Sequence, residues 1–342
     1  MADAVWSAEE TTPGDIEAAL RTLENERAAE EGAGLARVLN LVTIVDREWR
    51  GEIENRLARV GRYAASRTVL CAVEPGRTKL SARASVHVDR GALREHVIVD
   101  VGERHLKRLD RIVDPLVITD LATAVWAPHG HDEAVDALCG VAQVVLRDSV
   151  DEPDTQRALD RAAALSEHTY VVDLAWLRTT PWRERIAASF DPPWWRGHLG
   201  KLSAVTVRHH PDSTVAALLL FGWLASRLGW EPSALAAEGV RLHGSARAKR
   251  GDVRLHTEPT EQGVRGLAGV TLQTADGMAL SLDRGKGGLA AWRRFPDGRE
   301  LRWTVLGASR GEPGILGEGI RHALLRDPTF KPALAAARRL LD

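Results

Sequence analysis

The 342-residue sequence predicts an α/β fold in its first half and an α+β fold in its second. The first is a mixed, mostly parallel sheet with helices on its faces; the second is an antiparallel sheet with helices. Three observations carry this. Up to residue 190, β-branched runs alternate with amphipathic stretches. Asp191-Pro192-Pro193 then interrupts the rhythm. From Gly239 to Gly307 the chain is glycine-rich and broken into short alternating runs. The expected domains are an acidic N-terminal helix or tail (1–31), an α/β domain ending in a long helix (32–190), and an α+β domain with an antiparallel sheet and two C-terminal helices (191–342).

Residues 1–31 hold nine acidic residues against two arginines. After Pro13-Gly14, residues 15–31 are rich in helix formers and read as an acidic surface helix. Residues 37–45 form a β-branched strand. Residues 52–65 place Ile53, Leu57 and Val60 on one helical face. Residues 67–73 are a second strand, ended by Pro75-Gly76. Residues 82–88 and 96–101 alternate on either side of Asp89-Arg90-Gly91 and read as a hairpin. Helices follow at 104–113, 132–139 and 154–166. Between them lie the short apolar runs 115–119 and 122–126 and a strand at 142–146. Strands alternating with helices give parallel neighbours. Residues 173–190 read as one long helix that Pro181 must kink or restart. Past the interruption come a strand at 204–207 and a helix at 212–228 capped by Asp212 or Ser213. Four runs (253–256, 267–273, 278–282 and 301–306) supply the antiparallel sheet, and helices at 314–325 and 332–341 close the chain.

Composition narrows the function classes. Apolar residues are 44% and charged residues 27%, which excludes wholesale disorder, collagen and a disulfide scaffold. A net charge of −1 gives no global field toward nucleic acid or anionic lipid. The two cysteines, Cys71 and Cys139, are far apart, which suits a reducing compartment and excludes a Cys-rich zinc site. The N-terminus has no basic and apolar signal regions, and the longest apolar stretch (215–225) is well short of the ~20 residues a membrane span needs. The expected location is the cytoplasm.

Most catalytic templates are missing: no GxxxxGK[ST], no HExxH, no GxSxG, and no GxGxxG after a strand. No cofactor and no metal are expected. His129-x-His131 and His209-His210 each offer two ligands, where zinc takes three or four. Arg284-Gly-Lys286-Gly-Gly288 reads either as a phosphate cradle built on Lys286 or as an ordinary loop between strands. The densest feature is Asp173-Leu-Ala-Trp176-Leu-Arg178-Thr-Thr-Pro-Trp182-Arg183. On a helix Asp173 and Trp176 share a face, as do Arg178 and Trp182. Trp and Arg are enriched at protein interfaces; a core helix with Arg–Asp pairs at its end accounts for the same residues. Asp173, Trp176, Arg178, Trp182 and Arg183 therefore stand as partner-binding or structural anchors. An exposed Trp182 favours the first role and a buried one the second. Residues 241–302 hold twelve Lys and Arg against seven Asp and Glu, a face suited to an acidic protein or a phosphorylated ligand. No nucleic-acid motif accompanies that charge.

Several segments act together as a signature. In order they are Arg37-Val-Leu-Asn-Leu-Val-Thr-Ile-Val45, Ser66-Arg67-Thr-Val-Leu, the 173–183 block, Phe221-Gly-Trp-Leu-Ala-Ser-Arg-Leu-Gly-Trp230, Ile315-Leu-Gly-Glu-Gly-Ile and Arg326-Asp-Pro-x-Phe330. This set resembles the OpcA family, the glucose-6-phosphate dehydrogenase assembly proteins, from about residue 15 to the end. The resemblance implies a non-enzymatic partner of glucose-6-phosphate dehydrogenase. Such a partner favours the active oligomer as an allosteric effector and controls entry to the oxidative pentose phosphate pathway. Relatives often carry His-Pro before the Ser-Arg pair, where this chain has Ala64-Ala65, so no role resting on that histidine transfers. Ser66, Arg67 and Lys286 remain as candidate anion contacts. The alternative is a sugar-phosphate sensor, or an enzyme acting on a phosphosugar, housed in the α/β domain. Neither nucleic acid nor a membrane is an expected partner.

Overall fold

The computed structural model describes residues 4–31, 38–60, 67–89, 92–306 and 312–342. The chain divides into two units. The first combines Met1–Arg147, His168–Val172 and Leu316–Arg326; the second combines Asp148–Glu167, Asp173–Ile315 and Asp327–Asp342. Among the described residues, no helix is long and apolar enough to cross a membrane.

In the first unit the elements are β1 (Ala4–Thr11), α1 (Pro13–Glu31), β2 (Asn40–Asp46), α2 (Arg50–Val60), β3 (Arg67–Val73), β4 (Leu80–Asp89), β5 (Ala92–Val101), α3 (Asp110–Val113), β6 (Thr123–Trp126), α4 (Asp132–Leu138), β7 (Val144–Arg147) and β8 (Tyr170–Asp173). They form an eight-stranded sheet in the order β1-β4-β5-β3-β2-β6-β7-β8. The pairs β5–β3, β3–β2, β2–β6 and β6–β7 are parallel, while β4 runs antiparallel to β5 and β1 to β4. Without β1 and β4, the order is that of a doubly wound sheet. Its direction of winding reverses between β2 and β6. Buried apolar runs on β2 and β3 fit strands covered on both faces. β4 and β5 instead alternate. Ala82, Ala84, Val86, Val97 and Val99 are buried, while Ser81, Arg83, Ser85, His96 and Asp100 occupy the other face.

β1 corrects the expectation for the first residues. The acid count suggested only helix or tail, yet Ala4, Trp6 and Ala8 alternate with the more exposed Val5, Ser7 and Glu9. That period of two pairs the strand with β4. The helix expected from Asp15 forms as α1, which packs on β4 and buries Ile16, Leu20 and Leu23. Each such leucine is worth about 1.5–3 kcal/mol of burial. The helix expected at 104–113 is a 3-10 stretch over Glu103–Arg108 followed by the single turn of α3.

The second unit opens with α5 (Thr155–Ser166), whose N-cap Asp154 accepts the Arg157 amide at 3.0 Å. The single helix expected over 173–190 is two, α6 (Leu174–Arg178) and α7 (Thr180–Phe190). Pro181 lies in the first turn of α7, where a missing N–H costs nothing. α7 ends at Phe190, just before the interruption at Asp191-Pro192-Pro193, and by the same logic Pro193 opens a short helix, α8 (Pro193–Leu199). Then follow β9 (Leu202–His209), α9 (Thr214–Leu228), β10 (Glu231–Pro232), β11 (Ala236–Glu238), β12 (Arg241–Ala248), β13 (Gly251–Pro259), β14 (Leu267–Thr274), β15 (Ala279–Gly285), β16 (Gly288–Arg294), β17 (Glu300–Leu306), α10 (Glu312–His322), whose residues from Leu316 on belong to the first unit, and α11 (Phe330–Arg338). The sheet order is β10-β12-β13-β9-β14-β15-β16-β17, with β11 on β12. β9 and β13 are parallel and the other pairs antiparallel. Val205, Val207, Leu255, Val270, Leu272, Leu280 and Leu282 are buried on the face that receives α9. The opposite face is polar. One row of it runs Ser245, Arg254, Ala204, Gln273, Ala279, Arg294 and Glu300 across seven strands. Arg254, Gln273 and Arg294 are exposed there.

Candidate functional site

The block 173–183 lies inside the second unit. Trp176 and Trp182 are 2% and 1% exposed, and Asp173, Arg178 and Arg183 are buried with them. The chain must therefore satisfy two guanidinium groups internally. Asp173 caps α6 by accepting the Ala175 amide at 2.9 Å, and it also accepts the amide (3.2 Å) and hydroxyl of Ser149. Arg178, at the other end of α6, grips Asp148 with two bonds of 2.8 and 2.7 Å. Both ends of one short helix thus clamp the loop that begins at Asp148. Beside it Arg265 pairs with Asp151 at 2.5 Å. Burial, and then the charge of Asp148, raise the Asp151 carboxyl above its ordinary value.

Trp176 and Arg183 clamp a second loop. The Trp176 indole N–H donates to Asp327 at 2.9 Å. Arg183 stacks over the Trp176 ring, 3.5 Å from its centroid, donates to the hydroxyls of Thr179 (3.0 Å) and Thr180 (2.9 Å), and lies 3.6 Å from Asp327. Burial lowers the Arg183 guanidinium to about 10, partly offset by Asp327 and Glu184. It stays charged at neutral pH. Asp327 also accepts the Thr329 amide (2.8 Å) and hydroxyl (2.6 Å). The five residues are brought together as a scaffold that fixes two loops, with their polar atoms turned inward.

Of the candidate anion contacts, Arg67 and Lys286 belong to different units. Arg67 is buried in the first unit, where it bonds to Glu95 (2.5 Å), to Glu24 and to the Leu116 carbonyl (2.9 Å). Its anions belong to its own chain, which corrects the expectation of an external one. Lys286 is exposed in the turn between β15 and β16. Ser66 lies outside the described residues. His131 sits 3.1 Å from Asp46, and His209 Nδ1 meets the His210 carbonyl at 2.8 Å.

A doubly wound sheet receives its ligand beyond the strand ends where winding reverses. Next to that point, at the ends of β2 and β3, lies a cavity of about 580 Å³, lined by Asp46, Arg47, Glu48, Val73, Glu74 and Pro75. Asp46-Arg47-Glu48-Trp49 follows β2 where a dinucleotide fold has its glycine-rich turn. Glu74, at the end of β3, is taken by Arg77 (2.6 Å) and Arg47 (2.5 Å), whose hydrogen bonds hold its carboxyl below the ordinary range. Trp49 packs against His129, ring centres 5.4 Å apart, joining the segments after β2 and β6. Two carboxylates, Asp46 and Glu48, stand where a pyrophosphate would need backbone amides and positive potential, while Glu74 ends the next strand, where a dinucleotide fold has its ribose-binding acid.

The partners Asp148, Ser149 and Asp327 carried no sequence signal, because they lie 30, 24 and 151 positions from the residues they bind. The polar stripe Ser81, Arg83, Ser85 was visible as alternation along β4, but alternation marks a face and not its use.

Two family models match the chain. Residues 58–164 match the N-terminal domain of a family described as the glucose-6-phosphate dehydrogenase subunit, and residues 169–334 match the C-terminal domain of that family. Two cyanobacterial relatives bear the name OpcA and are described as OxPP cycle proteins. The Synechococcus elongatus protein is 29% identical over 149 residues, 42% of this chain and 34% of its own length. The Synechocystis sp. protein is 30% identical over 132 residues, 37% of this chain and 28% of its own length. The alignments thus span about a third of those relatives. Similar solved structures include the transcriptional regulator Gal80p from Kluyveromyces lactis (TM-score 0.49, 9% identity, 92% of this chain and 94% of that one). Another is GenD2 from gentamicin A biosynthesis (TM-score 0.46, 16% identity, 91% of this chain and 94% of that one). Neither likeness bears on chemistry. With matched domains on both sides of residue 165 and the signature residues in place, the chain belongs to the OpcA family.

Proposed function

We propose that this chain is a non-enzymatic assembly factor and allosteric effector of glucose-6-phosphate dehydrogenase, working in the cytoplasm. It favours the active oligomer and thereby controls entry to the oxidative pentose phosphate pathway. The observation that carries the reading is the pair of family matches over 58–164 and 169–334. The cavity at the ends of β2 and β3 supports the non-enzymatic part, since Asp46 and Glu48 disfavour the pyrophosphate of a dinucleotide there.

Asp173, Trp176, Arg178, Trp182 and Arg183 serve as structural anchors, since their side chains are buried. The contact with the enzyme falls on the exposed face of the nine-stranded sheet opposite α9, where Arg254, Arg294 and Arg302 project. Such a face suits an acidic partner surface.

The test is binding to immobilised glucose-6-phosphate dehydrogenase of the same cell. Wild type binds, and Arg254→Glu with Arg294→Glu weakens it at unchanged Tm. No binding by folded wild type overturns the partnership. Equal binding by the variant overturns the choice of face and leaves the partnership standing.

A further inference from the structure

The face of β1, β4 and β5 that carries the polar stripe is hollow. A cavity of about 550 Å³ opens on it, within the range of about 300–1,000 Å³ typical of small-molecule sites. Register builds its floor: Ser7 faces Arg83, Glu9 faces Ser81, Ser81 faces Asp100, and Ser85 faces His96. Directly opposed residues on neighbouring strands share one face. α2 adds Arg50 and Glu54 at the side.

The two ends of this floor differ in chemistry. At one end are the carboxylates of Glu9 and Asp100. Ser81 donates to Asp100 Oδ2 at 2.9 Å, while the buried Oδ1 accepts no hydrogen bond; Arg50 is 3.8 Å from it. In the middle stands Arg83. It is exposed and, among the described residues, has no hydrogen-bond or ion-pair partner. Beyond it His96 is turned into the cavity beside Ser85. Burial first, then the charges of His87, Arg83 and Arg50, push the His96 imidazole down to about 4. A neutral ring presents one N–H donor and one acceptor. Asp100, Glu54 and Glu9 are the acidic groups lining the same cavity.

We propose that this cavity binds a phosphate monoester of a sugar or polyol. Neither half of such a ligand suffices alone. Three carboxylates against two arginines repel a bare anion, and a neutral polyol leaves the Arg83 fork unmatched. A molecule with both groups sets its phosphate on Arg83 and His96, where forked N–H donors and an imidazole N–H converge. Its hydroxyls donate to Glu9 and exchange bonds with Ser7 and Ser85. The site lies wholly within the first unit and does not depend on partnership with the dehydrogenase.

The test is calorimetric titration of the full chain with glucose 6-phosphate, ribose 5-phosphate and glycerol 3-phosphate. Inorganic phosphate, glucose and gluconate are the controls. At least one ester binds more tightly than every control, by about tenfold or more. Arg83→Gln, a change at an exposed position, weakens that ester by about tenfold at unchanged Tm. The ring signals of His96 shift on binding and its pKa rises, since a bound anion favours the imidazolium. The proposal is overturned if no ester binds, if a control binds as well as every ester, or if Arg83→Gln binds like wild type.

Discussion

Arg183 shows how a buried charge is kept. Its guanidinium is stacked on Trp176 and forked between two threonine hydroxyls, with Asp327 near enough to favour the charged form. A lysine keeps the charge and loses the plane and the fork. Arg183→Lys therefore lowers the unfolding free energy by about 2 kcal/mol or more, read from denaturant melts. Asp327 carries the pH signature of the same cluster. Burial opposes its ionised form. Bonds from the Thr329 hydroxyl and amide and from Trp176, with the nearby Arg183 charge, outweigh burial and hold the carboxyl below its usual value. A depressed carboxyl stabilises the fold above its unfolded pKa, about 3.9, and that contribution is lost as pH falls through the folded value. The Tm gap between wild type and Asp327→Asn should accordingly be widest near neutral pH and close below about pH 4. A gap independent of pH contradicts this. Cys71 gives a third check, because burial pushes its thiol up to about 12. In the native chain it should stay unlabelled by a disulfide reagent at pH 8, where Cys139 is half-buried; both thiols should react after unfolding.

Among the elements, α9 and α11 make the sharpest prediction. Gly222 sits mid-helix, where alanine ordinarily gains about 1 kcal/mol. Here an added Cβ would lie 2.1 Å from the Ala333 carbonyl oxygen and 2.8 Å from the Ala337 amide nitrogen. Overpacking costs about 1–3 kcal/mol and reverses the sign. Gly222→Ala should lower Tm, and a raised Tm would contradict the close approach of the two helices. The glycine belongs to the Phe221–Trp230 signature, so a resemblance at sequence level reports a packing constraint. Elements were legible where local pattern and burial coincide. β2 and β3 are continuous apolar strands and α5 has an amphipathic face with an Asp cap. β12 and β16 were not. Arg241–Ala248 has little apolar side chain of its own and is a strand because β13 pairs with it; Gly288–Arg294 fell in none of the four expected runs, although β15 and β17 hold it on both sides. The candidate site divides in the same way. The 173–183 block was visible as a cluster, but its inward direction depends on Asp148 and Asp327, which only folding brings near.

For the molecule as a whole, the central claim is one of differential affinity. A chain that binds two forms of an enzyme equally shifts nothing, whereas about 1.4 kcal/mol of preference raises the favoured form tenfold. In the proposed reading, the exposed sheet face bearing Arg254 and Arg294 in one row would supply that preference. The most direct measurement mixes this chain with the glucose-6-phosphate dehydrogenase of the same cell and records mass by light scattering and initial rate against substrate in the same samples. The account predicts a complex in which the enzyme's oligomer is enlarged, together with a raised rate or a lowered half-saturation. Two folded proteins that keep their separate masses and an unchanged rate curve would contradict it.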